Sequence, residues 1–500
     1  MTDAILDTHA RGRFEDRAAV ELAKPGLARA IGRAVDTVQD RRNAAFEGVD
    51  LEAIRRTGEA IRAHTVARLH EYLDRFADRA ESRGMKLFFA HTAAEAVGYV
   101  REVLARRDVR LVVKGKSMIS EEIGLNHALE AAGMEAVETD LGEYIVQLAR
   151  ETPSHIIMPA MHKSRTDVAE TLRRDSAEAL PDDPSVLTAF AREVLREKFL
   201  TAGAGITGVN FGVAETGTVV LVTNEGNGRM CSTLPPVHIA LMGMERVVPS
   251  MRELSVLLPL LTGSGTGQRV STYVSFLGGP RRDGELDGPE EMHVVVVDNG
   301  RSAILPTEFR SALHCIRCGA CQNVCPVFRQ VGGHAYGGTY GGPIGAVLTP
   351  LLAGFERAGD LPHASSLCAA CTEVCPVRIP LHDHLVALRR EVVRERAPRG
   401  ERVAFRLWAS AWKTPRRFLW FARLSRILQL PLTLGGRRLR RAPFPLSRWT
   451  RGRDLRAVSR RTFRELWEKR TRGVRGGSSP GAGQRGTNQR ADPPAPDGER

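Results

Sequence analysis

Long apolar runs are missing. No 18 consecutive apolar residues occur, so no ordinary membrane-spanning helix is expected. The first twenty residues, MTDAILDTHARGRFEDRAAV, lack the apolar core of a secretory signal, and a cytoplasmic chain is expected. Aromatic residues make up only 6%, and all five tryptophans fall late: Trp408, Trp412, Trp420, Trp449 and Trp467. Acidic residues are scarce in one place. Residues 399–475 hold 23 Lys and Arg against 4 Asp and Glu, a local net of +19 within a total of +14, leaving the rest at −5. A nucleic-acid binder that is basic over its whole surface is therefore not expected. Cysteine is also sparse, 8 in 500 residues, yet seven lie between Cys315 and Cys375. In a reducing compartment such clustering speaks for metal rather than disulfides.

What remains is the composition of a globular chain, 42% hydrophobic and 26% charged, with room for about three domains. Over residues 15–83, Leu51, Ile54, Ile61, Val66, Leu69, Leu73 and Phe76 recur at roughly helical spacing. From residue 86 the strand-like runs KLFFAHT, VRLVVKG, EAVETD and HIIMPA alternate with helical ones such as AAEAVGYVREVLAR, SEEIGLNHALEAAG and VAETLRRDSAEAL. That alternation predicts βαβ units and a mainly parallel sheet. It continues through TGTVVLVTNEG, ERVVPS and EMHVVVVDNG to about Arg301. The expected class is α/β, in five segments. A helical N-terminal region spans 1–85, an α/β domain 86–301 and a helical, ferredoxin-like cysteine domain 302–395. A basic helical region follows over 396–473, and a disordered Gly/Pro-rich tail over 474–500.

The first cysteine block reads Cys315-Ile-Arg-Cys318-Gly-Ala-Cys321-Gln-Asn-Val-Cys325-Pro326, the C-x2-C-x2-C-x3-C-P run of bacterial two-cluster ferredoxins. Its fourth cysteine ligates the other cluster in such a run. The second block, Ser365-Ser-Leu-Cys368-Ala-Ala-Cys371-Thr-Glu-Val-Cys375-Pro376, is the same motif with Ser365 at the first position. Exchange of the distal ligands assigns Cys315, Cys318, Cys321 and Cys375 to one [4Fe-4S] cluster. Cys325, Cys368 and Cys371 go to a second that has only three thiolates, its fourth iron taking Ser365, water or an outside ligand, or being absent. The competing reading is structural zinc on paired CxxC, with His314, His334 or His363 filling in; the triple-cysteine runs ending in Cys-Pro favour iron–sulfur. Cys231 stands alone and is expected to be a small buried hydrophobe.

CIRCGACQNVCPV, GGHAYGGTYGGPIGAVLTP and LPHASSLCAACTEVCPVRIPL together resemble the lactate utilization protein B family. The likeness extends upstream through VKGKSMISEEIGLNHALEAAG, ETDLGEYIVQL, PSHIIMPAMHKSR, GITGVNFGVAETGTVVLVTNEGN and DNGRS, over roughly residues 15–390. One minor departure is Gly265 in the loop LTGSGTGQ, where alanine is expected. The resemblance implies a lactate-utilization α/β domain similar to sugar-phosphate isomerases and CoA transferases. It implies the iron–sulfur subunit of a three-protein system that oxidises L-lactate. The implied partners are a second lactate-utilization-domain protein and a cysteine-rich subunit.

Several α/β stretches are candidates for a ligand site. Lys114 and Lys116 sit in a turn after the VRLVV strand, ahead of a helix expected near Ser120; this is not a Walker A loop. Asn210 and Glu215 lie in the glycine-rich run 205–217, which is not a G-x-G-x-x-G fingerprint. Each of these four residues has an equal claim as a solvated turn or cap. Asn224-Glu-Gly-Asn227-Gly reads first as a turn. His155, His162 and His238 are candidates for proton transfer but read first as structural, so no catalytic residue is assigned, and the hydride acceptor is unaccounted for. In the basic segment, Arg416, Arg423 and Arg426 group opposite Trp420, Leu424, Ile427 and Leu428 over 416–428, a face suited to an anionic membrane surface or an acidic partner. The expected role is electron relay through two clusters, in the cytoplasm or at the inner face of the membrane. The alternatives are a 2-hydroxy-acid dehydrogenase in its own right and an iron–sulfur scaffold or redox sensor.

Overall fold

The structure, a computed structural model, describes residues 5–6, 12–174, 176, 180–396, 398–433, 438–439, 447, 450, 454–459 and 461–475. The chain forms two compact units, residues 1–396 and 397–500.

The first unit opens with four helices, α1 (Phe14–Leu22), α2 (Leu27–Ala45), α3 (Leu51–Ala67) and α4 (Leu69–Glu81). The periodic apolar residues occupy their inner faces, with Val66, Leu69, Leu73 and Phe76 buried. These helices do not form a core of their own. Ile31, Val35 and Val66 share one apolar cluster with Cys321, Phe328 and Tyr336 of the cysteine-bearing segment. Arg17 of α1 adds a hydrogen bond from Nε to the Ala335 carbonyl (2.9 Å).

Ten strands follow: β1 (Lys86–Ala90), β2 (Leu111–Lys114), β3 (Glu135–Glu138), β4 (Ala204–Gly208), β5 (Phe211–Val213), β6 (Thr218–Thr223), β7 (Val237–Gly243), β8 (Val247–Val248), β9 (Tyr273–Leu277) and β10 (Glu291–Val297). Six make a sheet in the order β1-β10-β7-β4-β2-β3, with every pairing parallel. Its central strands are buried on both faces, which is why VHIALMG and EMHVVVV read as continuous apolar runs. The other four form a smaller mixed sheet, β8-β5-β6-β9. Residues 301–396 carry the cysteines on short helices, among them Ala320–Val324, Gly342–Ala353, Ala370–Val374 and Leu381–Arg396.

Four local expectations are corrected. HIIMPA is a bend rather than a strand. There the His155 ring accepts hydrogen bonds at Nδ1 from the amides of Ile157 (3.0 Å) and Met158 (3.1 Å), and Pro159 offers no donor to a ladder. SEEIGLNHALEAAG breaks into two helices, Met118–Glu122 and Leu125–Glu130, because Gly124 takes a left-handed conformation at φ 66°. VAETLRRDSAEAL is helical through Arg173, where the helix Arg165–Arg173 ends, and residues 175 and 177–179 of that run lie outside the described residues. LTGSGTGQ is mostly the last turns of the helix Met251–Thr266 rather than a loop. Gly265 faces the first cysteine block, where an added Cβ would lie 2.9 Å from the Cys318 carbonyl oxygen and 2.7 Å from Ile157 Cδ1. That crowding accounts for glycine in place of the expected alanine.

The second unit holds the helices Arg399–Trp412, Pro415–Thr433 and Phe463–Arg475, and a short antiparallel pair, Arg438–Leu439 with Leu455–Arg456. The last helix runs through Arg475, beyond the expected tail start at 474, and residues 476–500 lie outside the described residues. Among the described residues no helix is long and apolar enough to cross a membrane.

A glycine inside β4 generates the first prediction. A Cβ on Gly205 would lie 1.8 Å from the Cys231 carbonyl oxygen, so the helix Asn227–Thr233 packs against bare backbone. Gly205→Ala is expected to destabilise the protein by about 1–3 kcal/mol. Thermal unfolding checks this, and an unchanged Tm would contradict the close approach.

Candidate iron–sulfur centres and the adjoining cavity

The two cysteine blocks fold alike. Arg317 (φ 60°) and Gly319 (φ 74°) take left-handed conformations in the first, and Leu367 (φ 55°) and Ala369 (φ 66°) do so at the equivalent positions of the second. Each turn enters a five-residue helix, Ala320–Val324 or Ala370–Val374. The likeness extends to the missing cysteine. The Arg317 amide donates to Cys315 Sγ (3.4 Å), and the Leu367 amide donates to Ser365 Oγ (3.1 Å) in the same way.

All eight cysteines are free thiols. Cys315, Cys318, Cys321 and Cys375 line one small apolar cavity. Cys325, Cys368 and Cys371 neighbour one another in a second group, and Cys321 of the first group lies near Cys371 of the second. Further amides donate to sulfur, Phe328 N to Cys325 (3.5 Å) and Ile379 N to Cys375 (3.3 Å). Burial pushes the Cys371 thiol up to about 12 and Cys375 to about 11, and raises Cys318, Cys321 and Cys325 as well. Cys368 is exposed and is held below the usual thiol range by the Ala370 amide and the Ser366 hydroxyl.

The spacing of the sulfurs bears on zinc. Thiolates about 2.3 Å from one zinc ion stand about 3.8 Å apart. Among the described residues, no three cysteine sulfurs lie within 4.8 Å of one another; Glu151, His162 and His334 do. Two wider sulfur groups fit a polynuclear iron–sulfide core, whose positive iron offsets the cost of ionising buried thiols. In the histidine group, His162 pairs with Glu151 (2.6 Å), Lys163 pairs with Glu151 (2.8 Å), and His334 bonds the Thr152 carbonyl (2.7 Å).

Arginines surround the first group. Arg62 donates to the carbonyls of His314 (3.2 Å) and Leu313 (3.1 Å), Arg246 to that of Cys315 (3.0 Å), and Arg55 to that of Cys375 (3.0 Å). Arg317 lies between two of the cysteines and stacks 4.6 Å over Tyr340. In the second group, fully buried Tyr336 sets its hydroxyl beside Cys325.

An ionic network joins the α/β segment to these loops. Buried Arg301 binds Glu122 through Nη1 (2.8 Å) and Nη2 (2.7 Å), and Glu245 through Nε (2.7 Å). Tyr340 donates to Glu122 (2.6 Å), and Arg317 pairs with Glu245 (3.2 Å). Burial opposes ionisation of Glu245, yet Arg301, Arg317 and Arg246 hold its carboxyl down at about 2.

Beside this network lies a cavity of about 590 Å³. Gly115, Gly208 and Gly243 line it at or just past the carboxyl ends of β2, β4 and β7, the edge where open parallel sheets bind ligands. Arg246, Arg301, Arg317 and Tyr340 close it on the cysteine side, so Arg317 borders both this cavity and the first cysteine group.

Of the four candidate ligand residues, the structure puts Lys116 and Asn210 on the cavity wall and leaves Lys114 and Glu215 off it. Lys114 is consumed in a buried cluster with Glu138 (2.6 Å) and Asn126 (2.6 Å), and Glu215 accepts from the Met251 amide (3.3 Å). Asn210 is itself engaged, its Oδ1 accepting from the Val222 amide (2.8 Å). Asn224 and Asn227, read first as turn residues, also line the cavity. Lys116 stands 3.2 Å from Glu143, whose burial pushes it up to about 8 against the pull of Lys116. The histidines take structural places: His155 bonds Asn323 (3.1 Å) and His238 bonds Thr207 (2.9 Å). Cys231 is buried, its thiol pushed up to about 12. The sequence reading missed Arg246, Arg301, Glu122, Glu245 and Tyr340. Arg301 stood in DNGRS, Glu122 in VKGKSMISEEIGLNHALEAAG, Tyr340 in GGHAYGGTYGGPIGAVLTP and Glu245 and Arg246 in ERVVPS, but these runs are separated along the chain and their side chains meet only in the fold.

Burial lowers His238 to about 3. In the unfolded chain this histidine takes up a proton near pH 6.5, whereas the folded protein refuses it until about pH 3, so its contribution favours folding less as pH falls through that window. Denaturation of wild type and His238→Gln at pH 7.5 and 5 is expected to show a smaller pH-dependent loss in the variant. A stability difference between the two that does not change with pH would contradict the buried neutral imidazole.

Comparison with known proteins agrees with this architecture. The LUD domain family matches residues 73–297 and the 4Fe-4S dicluster domain family matches residues 311–379. Lactate utilization protein B of Bacillus licheniformis is 46% identical over 462 residues, covering 92% of this chain and 97% of that protein. The proteins of that name from Oceanobacillus iheyensis (47% identical, 87% of this chain, 91% of that protein) and Shouchella clausii (45%, 91% and 97%) are equally similar. A solved DUF162 family protein from Deinococcus radiodurans aligns at a TM-score of 0.26 and 17% identity, covering 46% of this chain and 98% of that one. At this identity and coverage along nearly their whole length, the chain belongs to the lactate utilization protein B family.

Proposed function

We propose that this chain is the electron-transfer subunit of a multi-protein system that oxidises L-lactate to pyruvate. Two [4Fe-4S] clusters would be held by Cys315, Cys318, Cys321 and Cys375, and by Cys325, Cys368 and Cys371. The observation that carries the reading is the grouping of seven thiols into two adjacent sets, with Cys321 near Cys371. When bound, each cluster supplies a one-electron acceptor. The protein's part is to hold the sulfurs, exclude water and set the local field. Arg62, Arg246 and Arg317 place positive charge around the first set, which favours the reduced, more negative state there. The exposed Cys368 marks the second set as the outlet toward a partner. That partner is a cysteine-rich subunit, beside a second lactate-utilization-domain protein. Trp420, Ile427 and Leu428 are exposed on the helix Pro415–Thr433, with exposed Trp408 and Trp412 on the helix before it. Together with the arginines of 416–428 they support docking at the inner membrane face or on an acidic partner. Arg426 is partly withdrawn from that face, pairing with Glu465 at 3.6 Å.

Anaerobic EPR on the cluster-loaded chain tests the reading. Dithionite is expected to reduce the clusters, L-lactate alone is not, and L-lactate with the partner proteins is. Reduction by L-lactate alone would overturn the relay reading in favour of a dehydrogenase within this chain. Clusters that no electron donor reduces would point instead to a scaffold. Ser365 occupies the fourth ligand position of the second block, so Ser365→Cys is expected to shift the second cluster's potential and leave the first unchanged in a redox titration. An unchanged second potential would show that Ser365 does not face that cluster.

A further inference from the structure

The large cavity carries a feature that the electron-relay reading does not use. Two groups on its wall are buried without a hydrogen-bonding partner, Arg317 Nη1 and Asn227 Oδ1, and a third, Lys116 Nζ, has only the Glu143 carboxyl 3.2 Å away. Lys116 and Arg317 are both cationic, with side chains only 18% and 8% exposed. A buried polar group left unpaired is costly, and the wall carries five cations, Lys116 and Arg317 among them, against the carboxylates of Asp140, Glu225 and Glu245, a balance that suits an anionic ligand. Part of the wall is apolar, formed by Ile156, Ile157 and Met158. At about 590 Å³ the space is several times what a three-carbon acid fills and lies within the range of cofactor sites.

We propose that this cavity binds an organic anion of nucleotide size, its phosphate on Lys116 and Arg317, its polar edge donating to Asn227 and its ring system against Ile156, Ile157 and Met158. The choice among such anions rests on the electron-transfer reading above. Oxidation of a hydroxy acid removes two electrons, whereas an iron–sulfur cluster takes one at a time, and a flavin is the chemical class that joins the two. The position suits it, because Arg317 borders both the cavity and the first cysteine group. Lys116 keeps Glu143 as its neighbour at 3.2 Å, and burial disfavours the ionised form of that carboxyl.

Flavin mononucleotide titrated into the cluster-loaded full chain under anaerobic conditions, read by quenching of flavin fluorescence, tests the proposal. Saturable one-to-one binding is expected, competed by inorganic phosphate at high concentration but not by L-lactate at matching concentration. Lys116→Met and Asn227→Leu are each expected to weaken it at least tenfold while iron content and the EPR spectrum stay as in the wild type. Lys163→Met, outside the cavity, is expected to leave it unchanged. Absence of saturable binding, or binding indifferent to both cavity variants, would overturn the proposal, as would displacement by L-lactate alone. Iron content separates the two readings. A chain that binds flavin mononucleotide at Lys116 but assembles no clusters would refute the relay and leave the site standing.

Discussion

Burial of Cys318, Cys321, Cys371 and Cys375 raises the cost of ionising each thiol, and a positively charged iron core is what offsets that cost. The surrounding architecture follows from that constraint. Loops that must turn tightly enough to aim three sulfurs inward need left-handed residues at 317, 319, 367 and 369, and only one of the four is glycine. Such strain persists where the surroundings fix the backbone. Here the fixing comes from amide-to-sulfur bonds, from arginine bonds to the loop carbonyls and from α1–α3 packed over the outside.

The buried ionic network does the complementary work of joining two chemistries. Arg301 follows β10, Glu122 ends a helix after β2, and Glu245 follows β7, so all three belong to the α/β segment. Tyr340 and Arg317 belong to the cysteine-bearing segment, and their bonds to Glu122 and Glu245 lock the sheet's carboxyl edge against the first sulfur group. Without Arg301, Glu245 would keep Arg317, but the buried Glu122 would have no cation, a loss of about 3–5 kcal/mol in comparable pairs. The cavity therefore has a rigid wall on its cysteine side, and its position relative to that group is fixed by charge pairs rather than by a flexible linker.

The cysteine chemistry was legible from the sequence because ligand spacing is local: two or three residues between thiolates and a closing Cys-Pro suffice to name the motif and to pair its distal ligands. The βαβ alternation was legible for the same reason, since AAEAVGYVREVLAR and EMHVVVV declare their periods within a few residues. HIIMPA misled because its apolar run packs against the cluster loops instead of pairing in a sheet, Ile156 N bonding Gln322 (3.2 Å). Lys114 misled for a different reason: a lysine in a glycine-flanked turn looks like an anion site, but Glu138, twenty-four residues away, claims it. Glu122, Glu245 and Tyr340 could not be foreseen, because a charge pair between distant segments has no sequence period.

The exchange of distal cysteines between the blocks is the central claim, and site-specific loss of EPR signals tests it most directly. Single variants Cys318→Ser, Cys371→Ser, Cys325→Ser and Cys375→Ser of the full chain would be reconstituted anaerobically, reduced with dithionite and compared. The account predicts that Cys375→Ser perturbs the same signal as Cys318→Ser, and that Cys325→Ser perturbs the same signal as Cys371→Ser. A pairing by block, Cys325 with Cys318 and Cys375 with Cys371, would contradict it.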